Sequence, residues 1–496
     1  MPSRSRIDPR AFLADAFAGA WPRRIALGLL VAYVLAAPFP WGSVQPGLTG
    51  TAKITLGAFL IAGVAALSPG ARLRLGEARL PLAAVAGIAA LGLLQVVPLP
   101  GALLRAFSPA SAEAWAGAGR ILGTFGRTAP PARISLMPWE TLGVSLLAFS
   151  WVALFLAASA LLDRRASRRL FAGAVVVSGL VQVGLAIATE DRLLRLHGSF
   201  VNPNNLAGYL QISLAFALGL LWYRTRLGLQ ELSEAHGAEE RSSLLVSLLP
   251  SLGSATLLWA VLAAGIVLSQ SRGGIVAATG TTLLLGTLVF QSRRGARRAR
   301  RVVGIALAAL VTLGTAFAIA GAGTVAFLRF LMPDAADLAA DYRVLIWRGS
   351  VEAFRLFPWL GSGLGTFREA FRRVQPQELN GLVDQAHDEY LQLLVTGGAI
   401  GAALGLVALV LGLRALLRAF FAQKHREERA WGLAGIGALV ALLLHGIAEF
   451  NFSIPAIPAT LAACLGGAWA ALGWTRSDDL EPSGLSDPGR SGPSSR

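Results

Sequence analysis

The chain has 496 residues, 54% of them hydrophobic and only 15% charged, whereas soluble proteins carry about 25% charged residues. That balance excludes an ordinary water-soluble enzyme. Its net charge of +16 invites a nucleic-acid reading, but the basic residues fall in short clusters between apolar runs, as cytoplasmic loops of membrane proteins do, so no nucleic-acid partner is expected. The single cysteine, Cys464, lies in an apolar run, which leaves neither a disulfide framework nor a cysteine metal site.

A spanning helix needs about 20 mostly apolar residues. Twelve segments qualify: 25–41, 52–68, 80–98, 140–162, 169–189, 205–222, 244–268, 274–291, 302–321, 388–413, 431–448 and 454–473. Ala36-Ala37 after the first apolar run resembles a signal-peptide cleavage site, but eleven further spans make it a retained helix. The N-terminus (Arg4, Arg6, Arg10, Arg23, Arg24) is basic, and so is every second loop: Arg72/Arg74/Arg79, Arg164/Arg165/Arg168/Arg169, Arg224/Arg226, Arg293–Arg301 and Arg414 through Arg429. Twelve spans with both termini in the cytoplasm satisfy every loop. The expected organisation is an all-α polytopic membrane protein. A cytoplasmic N-terminus (1–24) precedes helices 1–9 (25–321), which include an outer loop at 99–139. A large helical outer loop (322–387), helices 10–12 (388–473) and a disordered cytoplasmic tail (474–496) follow.

Polar residues are informative where they defy the membrane's cost and the orientation rule. His236 and His425 fall in cytoplasmic loops among charged neighbours and read as solvated. His197, His387 and His445 fall at outer boundaries. The first outer cluster, His197-Gly198-Ser199-Phe200-Val201-Asn202-Pro203-Asn204-Asn205, reads as a turn and helix cap or as a substrate contact through Asn202, Asn204 and Asn205. Next comes Ser269-Gln270-Ser271-Arg272-Gly273-Gly274, a short outer hairpin. Arg272 there either snorkels to headgroups or builds an anion site, where its fork grips phosphate as lysine cannot and Ser271 adds a hydroxyl.

The large outer loop carries seven arginines (Arg329, Arg343, Arg348, Arg355, Arg368, Arg372, Arg373) on the side where arginine is disfavoured. A helix is expected over 339–357, stopped by Pro358. A glycine-punctuated turn, Gly361-Ser362-Gly363-Leu364-Gly365, and a second amphipathic stretch to Val374 follow. On the first helix Arg343 and Trp347 share a face, while Arg348 points elsewhere. Arg343 thus aims at a cleft, with Trp347 packing beside it or stacking on a sugar; the alternative is a peripheral helix whose arginines meet headgroups. Finally, Asp384-Gln385-Ala386-His387-Asp388-Glu389-Tyr390-Leu391 opens the tenth span. A histidine flanked by acids at a helix start serves as a general base near neutral pH, or as a structural cap.

These four segments, in this order and with Gly397-Gly398 further on, resemble the O-antigen ligase and polymerase superfamily of bacterial envelope glycan assembly. The likeness is close over 190–402. It implies a GT-C-like, metal-independent, inverting glycosyltransferase of the inner membrane that works on the periplasmic face and needs no cofactor. Its donor would be an undecaprenyl-diphosphate-linked oligosaccharide or polysaccharide, held among membrane lipids. By resemblance, Arg272 and Arg343 bind the donor diphosphate and His387 deprotonates the acceptor hydroxyl, with Trp347, Arg348, Asn202, Asn204, Asn205, Ser271 and Asp388 lining the substrate site. The family usually has Asn where this chain has Asp388. The absence of an Asp-x-Asp motif or a His/Glu ligand cluster agrees with metal independence.

Three acceptors fit: another lipid-linked glycan repeat (a polymerase), lipid A core (a ligase) or a protein hydroxyl (an O-oligosaccharyltransferase). The acidic His387-Asp388-Glu389-Tyr390 stretch resembles exopolysaccharide-polymerase members of the superfamily more than lipid A-core ligases, and that resemblance favours polymerase. A transporter or flippase is the rival from another class. It predicts charged residues at mid-membrane and repeat symmetry between halves, and the sequence displays neither.

Overall fold

A computed structural model describes residues 8–44, 49–68, 75–189, 195–291 and 335–473. Among the described residues every regular element is a helix. The chain opens with a short helix α1 (Pro9–Ala16), which meets α2 (Trp21–Ala36) at 109°. Then come α3 (Thr49–Ala66), α4 (Arg79–Gln95), the short helices α5 (Gly101–Phe107) and α6 (Pro109–Thr124), α7 (Pro138–Leu161) and α8 (Arg165–Thr189). The second half holds α9 (Pro203–Glu234), α10 (Ala238–Leu268), α11 (Arg272–Gln291), α12 (Ala335–Leu356), α13 (Phe367–Phe371), α14 (Glu389–Ala422), α15 (Arg426–His445) and α16 (Ala456–Leu472).

This is an all-α polytopic membrane protein. Nine helical segments among the described residues, α4 counted with the turn Gly76–Ala78 before it, are long and apolar enough to cross a bilayer, or ten if α1 and α2 form one broken span; α16, at 17 residues, is slightly shorter. The expected span 302–321, the start of the outer loop with Arg329, the basic run Arg293–Arg301 and the C-terminal tail lie outside the described residues. Three spans run well past their expected bounds, including α14, whose 34 residues replace the expected 388–413. The 32 residues of α9 and 31 of α10 extend about 45 Å at 1.5 Å per residue, against a hydrocarbon core of about 30 Å. The polar stretch 224–234 is rich in Arg, Leu, Gln and Glu, all good helix formers, so the helix continues where its apolar character stops.

The most buried spans are α9 and α15. They pack on each other and, respectively, on α10 and α16. Small residues make these approaches possible, as lipid-embedded packing requires: Gly219 lies against Ala430 and Ala434, and Gly435 against Ala468. One end of the bundle collects charge. Arg23 donates to the Leu161 carbonyl (3.0 Å) and to Asp163 (2.7 Å), while Arg165 and the buried Arg168 reach the buried Glu428 at 2.8 and 3.3 Å. The opposite end gathers the N-termini of α9, α11, α14 and α16 with the C-termini of α10 and α15.

A second, smaller core lies at that opposite end. Ile346 and Ala353 of α12, and Phe357 just after it, pack with Phe367, Ala370 and Phe371 of α13 and with Leu379, Ala386 and Val395. It fixes α12, which carries Arg343, relative to the start of α14, which follows His387. The buried Gln95 ties the glycine turn into this assembly: its Oε1 accepts from Leu364 N (2.9 Å) and its Nε2 donates to the Leu360 and Thr396 carbonyls (2.5 and 2.9 Å).

Candidate active site

The first contributor is the turn before α9. Asn202 is its cap, accepting from Asn204 N at 2.9 Å, and Pro203 suits the first helical position. The cap leaves Asn204 on the first turn, nearly buried. Its Nδ2 donates to Glu449 Oε1 at 2.5 Å, and its Oδ1 accepts from Arg195 Nη2 at 2.6 Å. Asn205 is buried and donates to Asn451 Oδ1 at 3.3 Å. Arg195 also donates through Nε to the Ser269 carbonyl at 3.2 Å, so one guanidinium bridges the turn and the α10–α11 hairpin.

In that hairpin Gln270 has φ +52°, and the reversal places Arg272, exposed, at the first position of α11. Ser271 is buried beneath it. The Ser271 hydroxyl accepts from Gly274 N at 3.1 Å and lies 3.3 Å from His445 Nε2. His445 is fully buried at the end of α15, so it supports the hairpin and offers no exposed nitrogen to a substrate.

The third and fourth contributors meet on one carboxylate. Arg343, one third exposed on α12, donates through Nη2 to Glu449 Oε1 at 2.5 Å; Glu449 itself is only 2% exposed. The Glu449 Oε2 atom lies 3.5 Å from His387 Nδ1. That separation exceeds hydrogen-bond reach, and among the described residues both buried atoms have no hydrogen-bond partner. The His387 ring stands edge-on to Phe450, with centroids 4.9 Å apart. It keeps 28% exposure, and since Nδ1 is the buried nitrogen, Nε2 is the one left to meet a substrate. His387 also adopts φ +50°, a left-handed conformation that costs a non-glycine residue roughly 1 kcal/mol and concentrates at functional sites.

The acids adjoining His387 turn away from it. Asp388 caps α14, accepting from Leu391 N at 2.8 Å, and partial burial holds its carboxyl above its ordinary value. Glu389 accepts from Phe452 N at 2.5 Å and so braces the turn that carries Glu449. Trp347 is half-buried on α12, with its Nε1 buried and without a hydrogen-bond partner among the described residues, while Arg348 is exposed. The separation of Arg343 from Arg348 expected from helical spacing is therefore present. Among the described residues, no group of three or more His, Cys, Asp or Glu side chains is arranged to hold a metal ion.

Residues 255–406 match the family model described as O-antigen ligase. The chain carries an O-antigen ligase family domain. This agrees with the resemblance read from its motifs, and O-antigen ligase/polymerase-type activity in polysaccharide biosynthesis goes with it. No curated protein matches the chain. The ligase-family segment contains Arg272, Arg343 and His387 but ends before Glu449 and begins after Asn204. Glu449 joins those contributors and was not among the residues expected from sequence. Its signal was present: an acid at an outer boundary, in His445-Gly446-Ile447-Ala448-Glu449-Phe450-Asn451, offends the same membrane rule that singled out the others.

Proposed function

We propose that the protein is an inner-membrane glycosyltransferase. It moves an undecaprenyl-diphosphate-linked glycan to an acceptor hydroxyl on the periplasmic face, as an O-antigen or exopolysaccharide polymerase. The supporting observation is the convergence of Arg343, His387 and Asn204 on Glu449, next to the hairpin that bears Arg272. Donor diphosphate binds Arg272 and Arg343, whose guanidiniums suit phosphate oxygens and take up the charge that develops on the leaving group. His387 Nε2 accepts the acceptor's hydroxyl proton as that oxygen bonds to the anomeric carbon. The carbon–oxygen bond to the diphosphate breaks in the same displacement, which inverts the configuration. The leaving group is already a good one, so the residues supply positioning, positive charge and a base without a metal or nucleotide sugar.

Lipid A core and protein hydroxyls are the alternative acceptors. A flippase and chain-length regulator encoded nearby favour polymerase, and core glycosyltransferase genes favour ligase. The orientation proposed is twelve spans with both termini cytoplasmic; a C-terminal green fluorescent protein fusion would then fluoresce and an alkaline phosphatase fusion would stay inactive.

Complementation of a deletion strain tests the site. Arg272→Ala, Arg343→Ala and His387→Ala should each lower surface polysaccharide by about a hundredfold or more, the scale on which a transition-state donor or general base acts, with membrane levels unchanged. If all three variants retain wild-type output, the site is misassigned. Activity should also survive thorough chelation; loss restored by a divalent ion overturns the metal-free mechanism.

A further inference from the structure

The Glu449 carboxylate divides its two oxygens unequally. Oε1 is engaged twice, by Arg343 Nη2 and by Asn204 Nδ2, each at 2.5 Å. Among the described residues, Oε2 is buried with no hydrogen bond, and it faces His387 Nδ1, also buried with none, across 3.5 Å. Buried polar atoms nearly always find partners. Two that face each other just beyond bonding distance mark a contact that a small movement completes. Arg343, meanwhile, keeps one third of its side chain open to the outside, where an arriving anion meets it.

We infer that Glu449 is a positioning residue that couples donor binding to activation of the base: donor diphosphate displaces Glu449 from Arg343, and the freed carboxylate engages His387. This rests on the reading of Arg343 as a donor ligand and His387 as the base. In the free enzyme Arg343 neutralises Glu449, so nothing favours a second cation beside it. A diphosphate carries more charge than a carboxylate and fits the guanidinium fork at least as well, so it competes for Arg343. Glu449 is then a buried carboxylate without its counter-charge, a costly arrangement.

The groups facing it are Asn204, His387 and His445, with Glu389 across the same turn. His387 supplies the relief by closing 3.5 Å to a hydrogen bond from Nδ1–H. When the acceptor's hydroxyl proton passes to Nε2, the resulting imidazolium replaces Arg343 as the partner of Glu449. The proton and charge balance, and no further reactant is needed. The base gains its strength only after a donor is seated.

The test uses the purified full-length chain in nanodiscs with undecaprenyl diphosphate as the probe, alongside polysaccharide output from complemented cells. Glu449→Gln keeps size and an acceptor oxygen but removes the charge. It should bind the probe about threefold more tightly than wild type, because Arg343 is no longer pre-engaged, while output falls roughly tenfold or more through loss of support to the base. A purely structural role predicts the opposite sign for binding. Glu449→Asp, which keeps the charge, should bind close to wild type and recover more output than Glu449→Gln; it decides the matter if the glutamine variant fails to fold. Probe binding by Glu449→Gln that is equal to or weaker than wild type, or unchanged output, overturns the coupling. If Arg343→Ala binds the probe normally or His387→Ala keeps full output, the underlying site reading fails instead, a pattern distinct from an inert Glu449 substitution.

Discussion

At the scale of single residues, the contrast between Asp388 and Glu449 is instructive. Sequence proximity makes Asp388 the natural orienter of His387, yet its Oδ1 is committed to capping α14 and the carboxylate facing the ring comes from a turn 62 positions later. A helix start demands an acceptor for its free N–H groups, and that local demand outweighs adjacency. Desolvation holds the half-buried Asp388 carboxyl above its ordinary value of 3.8. A raised carboxyl pKa means that the folded state binds the proton more tightly than the unfolded chain. Stability from this group is therefore greatest in acid and declines as the pH rises from about 3.8 toward the raised value. Asp388→Asn keeps the cap, since Asn serves there as well as Asp, and removes the titration. The melting temperature of wild type relative to this variant, followed in detergent by tryptophan fluorescence, should fall as the pH is raised through that window. A difference that stays constant across the window refutes the assignment.

At the scale of elements, the glycine turn and α14 lock together through two glycines that face each other. Gly398 interrupts α14 with φ +64° and ψ −169°. A Cβ there would lie 2.4 Å from the Trp359 carbonyl oxygen and 2.5 Å from Gly361 N; a Cβ on Gly361, itself at φ +72°, would lie 2.2 Å from the Thr396 carbonyl oxygen. Backbone meets backbone, so no side chain can yield. Gly398→Ala should cost on the order of 3 kcal/mol from overpacking with added left-handed strain, and it should lower both the melting temperature and the yield of monodisperse protein. Gly184→Ala, inside α8 with nothing within 4 Å of the added carbon, is the control and should be neutral or stabilising by about 0.5–1 kcal/mol. Equal melting temperatures for the two variants would disprove the locking contact. Gly397-Gly398 and Gly361–Gly365 were both visible in the sequence as punctuation. That they touch was not, because nothing local records which turn meets which helix.

At the scale of the whole molecule, the bundle was legible because the bilayer demands a minimum apolar length of every crossing helix. α9, α10 and α14 overran their expected ends because helix propensity persists where hydropathy fades, at 224–234, 238–243 and 414–422 respectively. The candidate site was legible in parts: Arg272, Arg343 and His387 each stood out as polar residues at expected membrane boundaries or in the expected outer loop, but the carboxylate that joins two of them required the fold. The orientation rule also concealed a structural role at the other end. Two arginines that the sequence assigns to a basic loop, Arg165 and Arg168, are pinned between helices by Glu428, which like Arg168 is fully buried.

Removing one member of a buried pair strands the other, at roughly 3–5 kcal/mol, whereas replacing both with apolar side chains is often nearly neutral. Glu428→Leu should therefore lower the melting temperature and the amount of folded protein in the membrane, and Arg168→Met combined with Glu428→Leu should recover much of the loss. Glu428 lies at the end of the bundle opposite Glu449, so polysaccharide output per folded molecule should stay at the wild-type level in both variants. A drop in output that outruns the drop in folded protein would mean that the charged end and the candidate site are coupled through the helices between them. Matched losses would establish the two ends as independent, one holding the bundle together and the other carrying the chemistry.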